Sequence, residues 1–469
     1  MIPATTYAGQ CIAVFGLARS GLTAAKALQS GGADVVVWDD REGAREEAAA
    51  LRLTVNDFRT FDFGKFAALV LSPGVPHHLP KPHWSAELAR QHGVPIICDV
   101  EIFVREMATR PNPPRMVAIT GTNGKSTTTA LTGHILGAAG LDAHIGGNIG
   151  RGVLDLPLPG PNTVYVLELS SYQLERTPSL KADVAVLLNL SPDHLDRHGD
   201  MAGYETAKRN IFANQTREDT AVVGVDDATG RRIVTELKAR NGRGIIPVST
   251  RSAVGGGVSV KGGLLFDALD AKTEPPIDLN SIQTLRGRHN HQNAAAAYAS
   301  ARALGLTPAE IAHGLRTFPG LAHRLERVGV AGPVVFVNDS KATNSDSARQ
   351  ALLAYDNIHW IVGGLPKAGG IAELAPEFGR VRKAYLIGAA APEFARTLEA
   401  EGVAYQDCGE IDRAVRAAAK NAFAAGETGV VLLSPACASF DQFKDFEARG
   451  EAFKAAVAPI LEMYVRECA

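Results

Sequence analysis

The chain of 469 residues has few cysteines and no pattern among them. Cys11, Cys98, Cys408, Cys437 and Cys468 are odd in number, widely scattered and free of any CxxC pair. That argues against a disulfide framework and a cysteine zinc site, and reduced cytoplasm is the expected setting. An excess of charge is also missing: 48 basic residues stand against 50 acidic ones, for a net charge of -2. There is no electrostatic case for nucleic acid or an anionic membrane as the main partner, and a small-molecule enzyme fits better. No segment reaches the roughly 18 uncharged apolar residues that span a bilayer. The N-terminal "MIPATTYAGQCIAVFG" puts no basic stretch ahead of an apolar run, so a soluble protein without membrane insertion is expected. Internal repeats and low-complexity tracts are lacking too.

Apolar β-branched runs alternate instead with Ala/Leu-rich helical stretches from end to end, which predicts an α/β protein of parallel sheets covered by helices. The length predicts two to four domains, with three as the working number. "CIAVFGLARSGLTAAKALQSGGADVVVWDD" reads as strand, Gly turn, helix stopped by Gly31-Gly32, and a second strand ending at Asp39-Asp40: one βαβ unit. "FAALVLSPGVP" adds a strand closed by the turn Pro73-Gly74. "ATRPNPPRM" is a linker, with a domain boundary nearby. A second α/β series starts at "MVAIT" and later carries Gly-turned hairpins in "TRSAVGGGVSVKGGLLFDAL". A third follows "GLAHRLERVGVAGPVVFVNDSKATN".

Within the second series, "ITGTNGKSTTTALTG" is a phosphate cradle lacking the leading Gly of a strict Walker A loop, since Ile119 stands there. Gly121 and Gly124 let main-chain amides face phosphate oxygens, Lys125 adds charge, and Ser126 or Thr127 can hold magnesium. Glu168, at the end of "TVYVLEL", is costly to bury unless paired or metal-bound; a helix-capping acid is the plainer alternative. "NLSPDHLDRHG" gathers Asp193, His194 and Asp196 at another strand end. Lys208, in "YETAKRNIF", reads by itself as an ordinary solvated helix lysine. Asn290 and Asn293 stand one turn apart at a helix start, so both amides can face one ligand, such as a nucleobase.

The first turn, Gly16 to Gly21, is either a mere tight turn or a phosphate site at a helix N-terminus, and Ala18 in its centre disfavours a redox dinucleotide. Asp39 can accept from a ribose or base, or cap a helix. In the third series, "FVNDSKATN" and "LLSPACASFDQFKDFEARG" are two polar strand ends that suggest a crevice.

In this order, "TGTNGKST", "LELSSYQLE", "DHLDRHG", "RHNHQN", "AHR", "NDSKATN" and "SPACASFDQFKDFEARG" resemble the Mur ligase family over essentially the whole chain, in particular its D-glutamate-adding branch. The resemblance implies three domains: 1–105 Rossmann-like and UDP-sugar-binding, 106–320 ATP-binding, and 321–469 Rossmann-like and amino-acid-binding. It implies an ATP-dependent ligase of bacterial peptidoglycan precursor synthesis, a cytoplasmic monomer whose substrates are UDP-N-acetylmuramoyl-L-alanine and D-glutamate. It further implies two magnesium ions, one on Ser126 and Glu168 and one on His194 and a carbamylated Lys208.

By the same likeness Lys125, Glu168, His194 and Lys208 are catalytic. ATP is held by Gly121, Thr122, Asn123, Gly124, Lys125, Ser126, Thr127, Asn290, Asn293, Arg324 and Asp339. The UDP-sugar falls to Arg19, Ser20, Asp39, Asp40, Arg41, Gly74 and Asn148, and D-glutamate to Lys341, Thr343, Lys367, Ser439 and Phe446. The chain departs from the family at Gly363-Gly364-Leu365-Pro366-Lys367, where a carboxylate is lost and a rigid Pro gained, and at Arg19, where a less charged residue is expected. Folylpolyglutamate synthase is the same-family alternative, and a nucleotide-binding sensor the alternative outside enzymes.

Overall fold

In the computed structural model, residues 1–239, 242–270, 274–366 and 369–468 are described. The short β-branched runs form strands and the Ala-rich stretches between them form crossover helices, giving three sheets among the described residues. The α/β class expected from the sequence is what the chain adopts.

The first sheet holds β1 (Cys11–Phe15), β2 (Asp34–Trp38), β3 (Thr54–Val55), β4 (Ala68–Leu71) and β5 (Ile96–Ile97), all parallel in the order β3-β2-β1-β4-β5. Strand order reverses beside β1, so a crevice opens at the carboxyl ends of β1 and β4. The helix Arg19–Ser30 that links β1 to β2 stops at Gly31, and Gly32 follows with φ +90°.

The second sheet contains β6 (Arg115–Thr120), β7 (Asp142–Gly147), β8 (Thr163–Glu168), β9 (Val184–Leu187), β10 (Thr220–Gly224), β11 (Gly244–Ser249), β12 (Val258–Lys261), β13 (Leu264–Asp267) and β14 (Ile277–Asp278). Their order is β14-β13-β12-β11-β10-β9-β6-β8-β7. β6 to β12 run parallel, and the β12–β13 and β13–β14 pairs are antiparallel; the Gly262-Gly263 turn makes the expected hairpin of β12 and β13, whereas the Gly-rich stretch 255–257 leads from β11 into a parallel partner. β6 lies between β8 and β9, so the loops after all three strands meet at one edge.

In the third sheet, β15 (Glu326–Ala331), β16 (Val334–Asn338), β17 (Ile358–Gly363), β18 (Val381–Ile387), β19 (Tyr405–Gly409) and β20 (Gly429–Leu433) take the order β15-β16-β20-β17-β18-β19. Only β15 is antiparallel to its neighbour.

Residues 1–281 with 290–318 form one compact unit, and 282–289 with 319–469 another. Within the first unit, two sheets share an apolar core despite the irregular Pro-rich segment 109–114 between them. Phe103 meets the Tyr165 ring of β8 edge-on at 5.1 Å, and the Ile2 N–H donates to the Leu154 carbonyl at 2.7 Å. Truncating one such buried aromatic costs about 3–5 kcal/mol, so the shared core contributes substantially to holding the two sheets together. Among the described residues no helix is long and apolar enough to cross a membrane.

Candidate active site

The loop after β6 is built by backbone geometry. Gly124, with φ +84°, stands at the N-cap of helix Lys125–Ala138, and a Cβ there would fall 2.2 Å from Asn293 Oδ1. Only glycine fits both demands. Lys125 folds over this loop, its Nζ donating to the carbonyls of Gly121 at 3.0 Å and Thr122 at 2.8 Å. The Thr122 hydroxyl donates to the Ser191 carbonyl at 3.1 Å and meets Tyr204 Oη at 3.3 Å. The Asn123 N–H donates to Asn189 Oδ1 at 2.9 Å. Ser126 and Thr127 are buried in the first helical turn, and Thr127 Oγ1 has no hydrogen-bond partner.

Glu168 ends β8 opposite Ile119 of β6 and is buried. Its Oε1 accepts from Asn148 Nδ2 at 2.9 Å, while Oε2 is buried with no hydrogen-bond partner. A helix-capping role is ruled out, because Ser170 caps the following helix with Gln173 in a reciprocal capping box. A buried carboxylate oxygen without a donor is costly unless a cation completes it. Among the described residues no three His, Cys, Asp or Glu side chains converge as a metal cage. Magnesium does not require one: it keeps several waters and takes one or two carboxylates with phosphate oxygens, so Glu168 beside a phosphate loop fits it.

Lys208 corrects the sequence reading. It is not a solvated helix lysine: only 1% of it is exposed, and its Nζ donates to Thr120 Oγ1 at 3.2 Å and the Gly121 carbonyl at 2.9 Å. The ammonium also sits over the Tyr204 ring, 4.8 Å from its centroid. Burial first, then the Lys125 ammonium, pulls Lys208 down to about 7, with Asp193 and Glu168 opposing. His194 takes a left-handed backbone, φ +54°, packs against the Tyr172 ring at 5.0 Å, and has Nε2 3.5 Å from Asp193 Oδ2. Burial lowers its pKa, Asp193 opposes, and Lys125 and Lys208 lower it further. Lys125, Glu168, Asp193, His194 and Lys208 thus form one electrostatic cluster.

Asn290 and Asn293 come together, as their spacing suggests. Asn293 Nδ2 donates to Asn290 Oδ1 at 3.1 Å, and Asn293 Oδ1 accepts from the Thr128 hydroxyl at 3.3 Å. Both side chains are buried, and Asn293 Oδ1 lies beside Gly124 of the loop.

In the first sheet, Arg19 and Arg41 line a cleft of about 740 Å³ at the end of β1, and Ser20 is the second residue of the helix Arg19–Ser30. Asp39 is not a helix cap; Arg41 stands there, and the Asp39 carboxylate accepts from the Leu17 N–H at 2.7 Å and the Arg41 N–H at 2.9 Å. Despite burial, those donors hold it below the usual carboxylate range. Asp40 meets His83 Nε2 at 3.0 Å and Trp84 Nε1 at 3.3 Å. The Gly74 carbonyl accepts from Arg197 at 3.1 Å. Asn148, the last of the residues given to the UDP-sugar by the resemblance, bonds Glu168 at 2.9 Å.

The second unit carries its own cluster. Asp339, after β16, accepts from the Ser434 hydroxyl at 2.9 Å and the Leu325 N–H at 3.1 Å. Burial pushes it up to about 7, with Arg324 opposing. Arg324 Nε is buried without a hydrogen-bond partner. Lys341 Nζ lies 4.8 Å from the Phe446 ring centroid, Thr343 is half-buried, and Ser439 is buried. Arg449, unmarked in the sequence reading, ties these loops by donating to the carbonyls of Ser340 at 2.8 Å and Cys437 at 3.1 Å. Lys367 lies outside the described residues.

The chain matches the Mur ligase middle domain over residues 119–301 and the Mur ligase glutamate ligase domain over residues 323–437. The UDP-N-acetylmuramoylalanine–D-glutamate ligase of Phenylobacterium zucineum is 56% identical over 464 residues, which cover 98% of this chain and 99% of that one. The protein of the same name from Rhizobium meliloti is 51% identical over 461 residues, 98% of each chain. Among solved structures, the UDP-N-acetylmuramate-alanine ligase of Thermotoga maritima aligns with a TM-score of 0.61 at 18% identity, covering 96% of this chain and 99% of that one. That likeness is one of fold.

Proposed function

The chain belongs to the Mur ligase family, and from that premise we propose that it is an ATP-dependent ligase joining D-glutamate to UDP-N-acetylmuramoyl-L-alanine in peptidoglycan precursor synthesis. The observation that carries this reading is the meeting of a phosphate loop with Glu168, whose Oε2 is buried without a partner, and the buried Lys208. A sensor has no use for that costly set. Relatives 50–56% identical along the whole chain, all bearing the D-glutamate ligase name, weigh against folylpolyglutamate synthase.

Joining a carboxylate to an amine in water is uphill, so the acid must be activated. The L-alanyl carboxylate attacks the γ-phosphorus of ATP, ADP departs, and an acyl phosphate results. Lys125 swings from the Gly121 and Thr122 carbonyls to the phosphate oxygens, and the loop amides orient them. Magnesium, held by Ser126 and Glu168 and by His194 and a carbamylated Lys208, would offset charge on those oxygens. Carbamylation suits Lys208, since a lysine drawn down to about 7 offers a neutral amine that carbon dioxide can modify. The amine of D-glutamate then attacks the acyl carbon and phosphate leaves.

Residues 1–105 serve the UDP-sugar, through Arg19, Ser20, Asp39, Asp40, Arg41 and Gly74; residues 106–320 serve ATP. Arg324 and Asp339 are further nucleotide contacts, and Lys341, Thr343, Lys367, Ser439 and Phe446 are those of D-glutamate. The enzyme works as a cytoplasmic monomer. The deciding experiment measures phosphate release with each substrate omitted in turn. Release that needs ATP, the UDP-sugar and D-glutamate together supports the reading; release indifferent to D-glutamate ends it.

A further inference from the structure

Five successive main-chain carbonyls, from the last residue of β4 onward, are taken by two arginines from the segments that follow strands of the second sheet. Arg176 donates to Leu71 at 3.0 Å, Ser72 at 3.2 Å and Pro73 at 3.0 Å. Arg197 donates to Gly74 at 3.1 Å and Val75 at 3.3 Å. Both arginines also grip Tyr172: Arg176 Nε donates to its carbonyl at 3.1 Å, and the Arg197 guanidinium lies 4.5 Å from its ring centroid. The same ring packs against His194. In the other direction, the Ser72 hydroxyl donates to the Gly16 carbonyl at 2.6 Å, and a Cβ on Gly16 would come within 2.7 Å of Ser72 Cβ. A continuous chain of contacts therefore runs from the turn at Gly16, through residues 71–75, to His194.

A shared apolar core already joins the two sheets, so adhesion does not require these arginines. Arg176 is 99% removed from solvent, and a buried guanidinium is expensive unless its donors are met. What carbonyl-by-carbonyl bonding adds is register: apolar packing tolerates sliding, whereas directional bonds fix a loop to within tenths of an ångström. Register is what phosphoryl transfer demands, because reacting atoms must be held about 3–3.5 Å apart and an error near 1 Å costs on the order of 100-fold.

We propose that Arg176 and Arg197 are positioning residues for the first chemical step, locking the loop that carries Gly74 to the loop that carries His194, so that the acceptor carboxylate lies in line with the transferable phosphoryl group. This rests on the ligase reading above. The guanidiniums touch no substrate; they act through the backbone of residues 71–75 and through Tyr172.

The test uses the full chain with Arg197→Ala, Arg197→Lys, Arg176→Ala and Arg176→Lys. Each is assayed for Tm, for kcat, for KM of ATP and of the UDP-sugar, and for ADP formed per amide. In folded variants kcat should fall at least 10-fold for either alanine substitution, the KM of ATP should stay within about twofold, and ADP per amide should rise above one. Guanidinium ion should restore part of kcat to Arg176→Ala, because the vacated space and its carbonyls suit that cation. If Arg176→Ala does not fold, Arg176→Lys and the Arg197 pair decide. Unchanged kcat with one ADP per amide, with or without a lowered Tm, makes the contacts a structural staple and overturns the proposal. Wild-type enzyme that forms no ADP in response to the UDP-sugar would instead overturn the ligase reading.

Discussion

Lys208 Nζ lies 2.9 Å from the carbonyl oxygen of Gly121, so the helix Met201–Arg209 is fastened to the first glycine of the phosphate loop. The contact places an amine drawn down to about 7 at the floor of the cluster containing Glu168, Asp193 and His194. Carbamate formation consumes the neutral amine. In buffer with limiting bicarbonate, activity should therefore rise as pH passes upward through about 7 and flatten when bicarbonate is saturating. Lys208→Ala should lose at least about 100-fold in kcat, the scale of an electrostatic group removed from a transition state, and regain part of it with added acetate or formate. Activity near wild type without any carboxylate would exclude a role for Lys208.

The proposed magnesium role of Glu168 gives Asn148 an orienting part, since its 2.9 Å bond holds Oε1 while Oε2 has no partner. Loss of such an outer partner typically weakens metal affinity by about 10–100-fold. Asn148→Ala should raise the half-saturating magnesium concentration by that factor and leave the maximal rate at high magnesium largely intact. Glu168→Gln should lose rate at every magnesium concentration. Equal magnesium curves for Asn148→Ala and wild type would show that the bond does not tune the site.

Asp339 makes stability depend on pH. Its ordinary value is 3.8 and burial raises it to about 7, so between those values the folded chain keeps a proton that the unfolded chain has released. The folded state binds more protons there, and stability falls as pH rises across that window. Asp339→Asn, unable to ionise, should flatten the decline. Urea unfolding of ligand-free protein from pH 5 to pH 8 measures both slopes, and parallel slopes would refute the assignment.

The alternating strands and helices were legible because local pattern and tertiary role agree: the β1–helix–β2 unit and the phosphate loop follow from β-branched runs and glycines alone. Lys208 was misread although a signal was present. Tyr204, Ala207 and Lys208 share one helical face at i, i+3 and i+4, and all three are buried. The spacing of Asn290 and Asn293 was legible, but the bond between them and the one from Thr128 to Asn293 were not. Arg176 and Asn148 left no local trace. Arg176 follows a four-residue helix too short to show periodicity and bonds carbonyls about a hundred positions away. Asn148 meets a carboxylate 20 positions on, through strand pairing that composition does not encode.

The proposed function assigns the amino-acid specificity to the third sheet. D-glutamate carries two carboxylates, so its pocket needs cationic and hydroxyl donors from more than one strand end. Lys341 and Thr343 follow β16, Ser439 follows β20, and Arg449 holds the loops after both strands by their carbonyls. A site built to pair a charge leaves its donors unmet when an analogue lacks that charge. D-glutamine should accordingly lose about 10³-fold or more in kcat/KM against D-glutamate. L-glutamate keeps both charges and fails for another reason, since it cannot place amine and carboxylates together. Thr343→Ala and Ser439→Ala should each raise the KM for D-glutamate about 10-fold, roughly the worth of one charge-assisted hydrogen bond, and leave the KM for ATP unchanged. The assay is kcat/KM for D-glutamate, D-glutamine, L-glutamate and meso-diaminopimelate across wild type and both variants. Preference of the wild type for L-glutamate or diaminopimelate would remove the D-glutamate assignment while leaving the ligase chemistry standing, and unaltered D-glutamate kinetics in both variants would place the pocket elsewhere.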